Sequence, residues 1–194
     1  MVQDQPKLKI REFGNPVLRQ KATNLPVKDI RTNGVQKLIK NMQDFLLSKK
    51  LGVGLAAPQV GKDLALAVVC VRPIKHRKEV EELDLVIINP EITKTYGHKI
   101  QHWEGCISGG PLKSSLFAKV PRHKKVELKY RDEKGKSHNK TFEGLIAHII
   151  QHELDHLNGI LFVDRVKDTK TFITYSEYLK LAKASKKAKK GATR

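Results

Sequence analysis

The chain has 194 residues, 39 % of them hydrophobic and 30 % charged, and carries a formal net charge of +18. That length suits one globular domain that buries a core without disulfides, and two cysteines, Cys70 and Cys106, exclude a disulfide framework. No apolar run is long enough for a membrane span, and Met1–Lys7 reads as no secretory signal, so a cytoplasmic protein with no membrane partner is expected. The charge points to a polyanionic neighbour such as RNA. From Lys180 onward, Lys180, Lys183, Lys186, Lys187, Lys189, Lys190 and Arg194 supply +7 with nothing acidic among them. A solvated tail and a binding tail are equally good accounts of that run, which divides the chain into a body over 1–179 and a basic tail over 180–194.

Leu8–Pro16 reads as a short extended piece ending in a Gly-Asn-Pro turn. Val35, Leu38, Ile39, Met42, Phe45 and Leu46 recur at helical spacing, so a helix is expected from about Gly34 to Lys49, capped by Asn33. The stretch Gly52–Lys62 fails as a phosphate loop at Ala56 and Asp63, and as a dinucleotide fingerprint because it follows a helix. It remains a small-residue segment whose backbone can approach a ligand closely, ending in the amide donor Gln59. Leu64–Val71 has the continuous apolar character of a buried strand, with Cys70 a small core residue. A charged loop over Arg72–Glu82 separates it from a strand at Leu85–Ile88, stopped by Asn89-Pro90, and from a third strand at Ile92–Tyr96.

Cys106 lies beside Gly105 in a turn-rich stretch, which suggests a thiol exposed to a site. Val120–Arg122 leads into a hairpin, with Val126–Tyr130 alternating and Asp132–Gly135 turning the chain. Thr141 then offers a cap to a helix in which Leu145, Ile149, His152 and His156 form one core-facing stripe, stopped by Gly159. Ile160–Arg165 is a short apolar exit, and Thr171–Lys190 a weaker helix candidate. This order of elements predicts a single α+β domain with antiparallel strands around a central helix.

His152 and His156 are four residues apart, so on a helix both imidazoles can reach one metal ion, with Glu153 placed beside a water there. A catalytic centre needs a third ligand. The long zinc-protease signature would put a histidine where Phe162 stands. Glu177, on a later helix, and Cys106, on its glycine-flanked turn, are the remaining candidates.

Three stretches, Gly52-Val53-Gly54-Leu55-Ala56-Ala57-Pro58-Gln59, Glu104-Gly105-Cys106-Ile107-Ser108 and Gln151-His152-Glu153-Leu154-Asp155-His156, occur in this order, and together they resemble the peptide deformylases. The similarity extends to about Arg165. It implies a metal-dependent hydrolase that removes the formyl group from N-formylmethionyl nascent peptides. It further implies that Cys106, His152 and His156 hold one divalent ion, Fe(II) first and Zn(II), Ni(II) or Co(II) as substitutes in a purified sample. Glu153 would be the general acid/base, and Gln59 with the Ile107 backbone amide would receive the oxyanion. Val53, Gly54, Leu145 and His148 would border the peptide, and the basic tail could dock on ribosomal RNA.

The chain departs from the family pattern in three places. Gly109–Ser115 reads as a longer, looser loop, and His102 and His148 stand where apolar residues are expected around the methionine side chain. A neutral, hydrogen-bonded His148 is the simple account. Glu104 and Arg122 could form an ion pair supporting the site or could be surface charge.

Overall fold

The computed structural model describes residues 8–49, 53–73, 80–112 and 115–191, with side chains described up to residue 184. Part of the Arg72–Glu82 loop, Gly52 of the glycine-rich stretch, Lys113 and Ser114 of the loop after Cys106, and the last three residues of the basic tail lie outside that set. One antiparallel sheet has the order β1 (Gly54–Ala56), β2 (Leu66–Val71), β3 (Leu83–Glu104), β4 (Leu116–Arg131) and β5 (Ser137–Glu143), with β6 (Ile173–Thr174) also pairing β4. The helices are α1 (Asn33–Leu47), α2 (Gly144–Leu157), α3 (Phe162–Arg165) and α4 (Tyr175–Gly191). The α+β architecture with antiparallel strands around a central helix is therefore as expected, and α4 runs across the 179/180 division.

All six residues of β2 are buried because the strand has a helix on each face. Ala67, Val69 and Val71 pack with Ile149, Ile150, Leu154 and Leu157 of α2, whereas Leu66, Val68 and Cys70 pack with Ile39, Met42 and Leu46 of α1. A strand covered on both sides needs no polar alternation, which is why its sequence is a continuous apolar run. The central helix is enclosed in the same way: every residue from Ala147 to Leu157 except His152 is buried, and α2 packs against β1, β2, β4 and β5.

Several local expectations are corrected. Thr32, not Asn33, precedes the first turn of α1. Thr141 lies in β5 and α2 begins after Glu143, so the expected cap is a strand residue. The strands at Leu85–Ile88 and Ile92–Tyr96 are one long β3. Asn89 takes φ 50°, and its side-chain amide exchanges two 2.8 Å hydrogen bonds with the Leu25 backbone. The register slips between Ile88 and Glu91, so Pro90 sits in a bulge where no ladder N–H is required. Ser115 is tied back to Gly110 and Pro111 through its hydroxyl and amide, whereas the loose loop expected over Gly109–Ser115 falls in part on Lys113 and Ser114, outside the described residues. No helix among the described residues is long and apolar enough to cross a membrane.

Candidate metal centre

Cys106 reaches α2 because β3 ends at Glu104 and the chain turns there before returning as β4. The thiol is buried, not exposed as its glycine-rich surroundings suggested, and is 7 % accessible among Ala118, Val120 and Phe162. Its Sγ lies 3.2 Å from His156 Nε2. His152 and His156 stand one turn apart with ring centroids 4.9 Å apart. Cys106, His152 and His156 place one ligand atom each within 4.8 Å of one another, forming the one such group of three among the described residues. Phe162 is buried and lies over the His152 ring, 6.4 Å between centroids, and so provides packing where the zinc-protease signature has a ligand. Glu177 is exposed on α4 and pairs with Lys180, apart from this group.

The electrostatics suit a cation. Burial alone would raise the Cys106 thiol, but His156 and His152 outweigh it and hold the thiol well below its ordinary value. Burial would lower His152, yet Cys106 and Glu104 hold it well above the usual histidine range. The two anionic groups thus demand positive charge at the His152 ring, which a proton or a metal ion satisfies. A thiolate with two imidazoles is a donor set for Fe(II), Zn(II) or Co(II).

Glu153 is buried beside the ligand group, and its Oε2 is one of two buried side-chain polar atoms without a partner among the described residues, the other being His156 Nδ1. Desolvation is the main cause that pushes the Glu153 carboxyl up to about 7, against the attraction of His152 and His156. Gly54 makes room for it: a Cβ there would lie 2.1 Å from Glu153 Oε1. Gln59 is oriented from both ends. Its Oε1 accepts from the Ala56 amide at 2.8 Å, and its Nε2 donates to Cys106 Sγ at 3.4 Å and Ser108 Oγ at 3.2 Å. The opening segment braces this wall, since the Arg11 and Phe13 amides donate to the Gln59 and Ser108 carbonyls. Ile107 opens the 3-10 turn after Cys106, so its N–H precedes any acceptor within that turn.

Behind the three clustered donors, Glu104 and Arg122 form a buried ion pair, which removes the surface-charge alternative. Arg122 Nε and Nη2 donate to the two Glu104 oxygens at 2.7 and 3.0 Å, while Nη1 donates to Asp155 at 2.5 Å. Burial would raise the Glu104 carboxyl, but donors from His148, His152 and Arg122 hold it far below the usual carboxylate range. Arg122→Ala is expected to destabilise the fold by about 3–5 kcal/mol, because Glu104 and Asp155 would keep buried negative charge without its partner. Chemical denaturation of the metal-free protein measures this, and a loss below 1 kcal/mol would show that the carboxylates find other partners.

Sequence reasoning did not single out Asp155 and Ser108. Both stand inside the quoted signatures, but their roles depend on Arg122 and Gln59, which are distant in the chain. Leu145 was expected on the core-facing stripe and is instead 38 % exposed at the start of α2. His148 is buried and its Nε2 lies 2.8 Å from Glu104 Oε1.

A thiolate and two imidazoles around a buried glutamate, on the central helix of an antiparallel α+β domain, define the metal-dependent hydrolase class. The polypeptide deformylase family model matches residues 7–172. Peptide deformylase 2 of Nostoc sp. is 37 % identical over 90 % of this chain and 94 % of its own length. The peptide deformylase of Leptospira biflexa is 39 % identical over 84 % of this chain and 90 % of its own. Among solved structures, the class I type b peptide deformylase from Acinetobacter baumannii with Met-Ala-Ser bound superposes with a TM-score of 0.74 at 32 % identity, covering 82 % of this chain and 98 % of that one. The Synechococcus elongatus peptide deformylase in complex with actinonin gives 0.73 at 36 % identity, covering 92 % and 87 %. The chain belongs to the peptide deformylase family, metal-dependent hydrolases that release the formyl group from N-formylmethionyl polypeptides.

Proposed function

We propose that Cys106, His152 and His156 hold one divalent ion, that Glu153 is the general acid/base, and that the Gln59 amide and the Ile107 N–H receive the developing oxyanion. The observation that carries this reading is the convergence of three donor atoms from two separate parts of the chain beside a buried carboxyl with an unpaired oxygen. When bound, the divalent ion lowers the pKa of water from ~15.7 toward ~7 and polarises the formyl oxygen. Glu153 takes the water proton and later delivers it to the departing amine nitrogen. Because its Oε1 lies against Gly54 and its Oε2 is uncommitted, the carboxyl is held in place without losing its proton acceptor. As the formyl carbon becomes tetrahedral, Gln59 Nε2, fixed by the Ala56 amide at the other end of its side chain, contributes roughly 3 kcal/mol to the negative oxygen.

The peptide enters along β1. That strand ends the sheet order, so the Val53 and Gly54 backbone borders an open edge to which an extended chain can add. Leu145 and His148 on α2 flank the first side chain. Gly54→Ala is expected to lower kcat by about 10²-fold, since its Cβ would displace the Glu153 carboxyl by an ångström or more. Metal content should stay stoichiometric, and an unchanged kcat would show that Glu153 does not need its present position.

The reading is tested by formate release from formyl-Met-Ala-Ser together with metal analysis of anaerobically purified protein. We assign Fe(II) as the resident ion on the family resemblance, with Cys106 open to oxidation when it ligates iron. Full activity and an intact thiol after prolonged exposure to air would favour zinc. We place the protein in the cytoplasm, with residues 1–179 as the catalytic domain and 180–194 as a basic extension toward ribosomal RNA. Truncation at Ser185 removes Lys186, Lys187, Lys189, Lys190 and Arg194 while leaving Tyr178 stacked on Phe117. It should reduce ribosome co-sedimentation at low salt and leave formate release unchanged; equal pelleting of both forms would remove the docking role.

A further inference from the structure

We propose that His148 is a positioning residue for the metal centre, acting on His152 through the carboxylate of Glu104. The proposal rests on His152 being a metal ligand and adds a member to the layer behind it. Glu104 accepts from four side-chain donors, two on each oxygen. Oε1 takes Arg122 Nε at 2.7 Å and His148 Nε2 at 2.8 Å, while Oε2 takes Arg122 Nη2 at 3.0 Å and His152 Nδ1 at 2.9 Å. The carboxylate is 3 % exposed and the His148 side chain 10 %, so no bulk solvent replaces a donor that is removed.

The geometry makes the two histidines a matched pair. His148 and His152 are one turn apart on α2, and each presents one ring N–H to a different oxygen of the same carboxylate. Arg122 approaches from β4. A rotation of the carboxylate that loosened its hold on His152 would also stretch the bond to His148, so His148 resists it. This matters because the bond from His152 Nδ1–H to Glu104 selects the tautomer whose Nε2 lone pair is free for a metal and sets the ring orientation. The His102 ring, edge-on at 4.7 Å between centroids, keeps the His148 ring from turning away.

An apolar residue would fill the same volume but offer no donor, and Glu104 Oε1 would then depend on Arg122 alone. Glutamine is the conservative replacement, since its amide nitrogen reaches about as far as ring Nε2. Asparagine is too short to reach.

The test is cobalt binding to the metal-free protein, measured by chelator competition and by the ligand-field spectrum, in wild type, His148→Leu, His148→Asn and His148→Gln. His148→Leu should bind Co(II) about tenfold more weakly, the low end of the effect expected for groups behind a ligand, and should shift the visible bands. His148→Gln should restore both. Should the leucine variant fail to fold, His148→Asn carries the same comparison, and thermal unfolding of each metal-free form separates lost packing from lost positioning. Wild-type affinity and spectrum in the leucine or asparagine variant, or no rescue by glutamine, would overturn the proposal. Absence of cobalt binding in the wild type itself would overturn the metal assignment first, and the role of His148 with it.

Discussion

Glu153→Gln is expected to lower kcat for formate release by about 10²–10⁴-fold, the range for removing a positioned general acid/base. Metal content should be unchanged, because Glu153 is not among the three clustered donors. Glutamine keeps the size of the side chain and the contact with Gly54 but can neither accept the water proton nor return it to the amine. The environment sharpens the expectation. Burial raises the carboxyl to about 7 even with two histidines beside it, so the group can both accept and give up a proton near neutral pH. A glutamine variant with more than about a tenth of wild-type kcat would move the proton transfer to another group. His156 Nδ1, the second unpartnered buried atom, would be the first to examine.

Cys106→Ala should remove both metal and turnover. Two imidazoles would remain of the three proposed ligands, and the negative charge that would balance a divalent cation in this buried pocket would be gone. The expected result is metal content well below stoichiometric after gel filtration, with formate release at background. The loss should appear in the metal analysis before it appears in stability, since the apolar cluster around Cys106, made of Ala118, Val120, Phe162 and their half-buried neighbours, stays in place when the sulfur is removed. Serine should fare little better, because its hydroxyl does not ionise at neutral pH. A variant that retained wild-type metal content and rate would end the assignment of Cys106 as a ligand.

What the sequence by itself determined was local. The apolar spacing of α1 and α2, the continuous run of β2 and the four-residue spacing of His152 and His156 follow from helix and strand periods, which any chain carrying those residues must obey. The order of the three signatures carried the family. Element ends were less legible: Thr141 has the chemistry of a cap but pairs with Glu127 across the sheet, and strand pairing overrides a capping preference worth about 1 kcal/mol.

Tertiary structure decided the rest, because the site is assembled across the chain. Cys106 meets His156 over a separation of 50 residues, and Gln59 meets Cys106 over 47. The reason Gly54 must be glycine lies on α2, in the carboxyl of Glu153. The burial of Cys106 was invisible for the same cause, since its glycine neighbours suggested an open turn and only packing against Val120 and Phe162 closes it. Glu104 and Arg122 show the physical limit most clearly. In the sequence, two charges 18 residues apart fit a surface position as well as a supporting ion pair; the β3–β4 register and α2 enclose them, and enclosure sets the pair against His152, the proposed metal ligand.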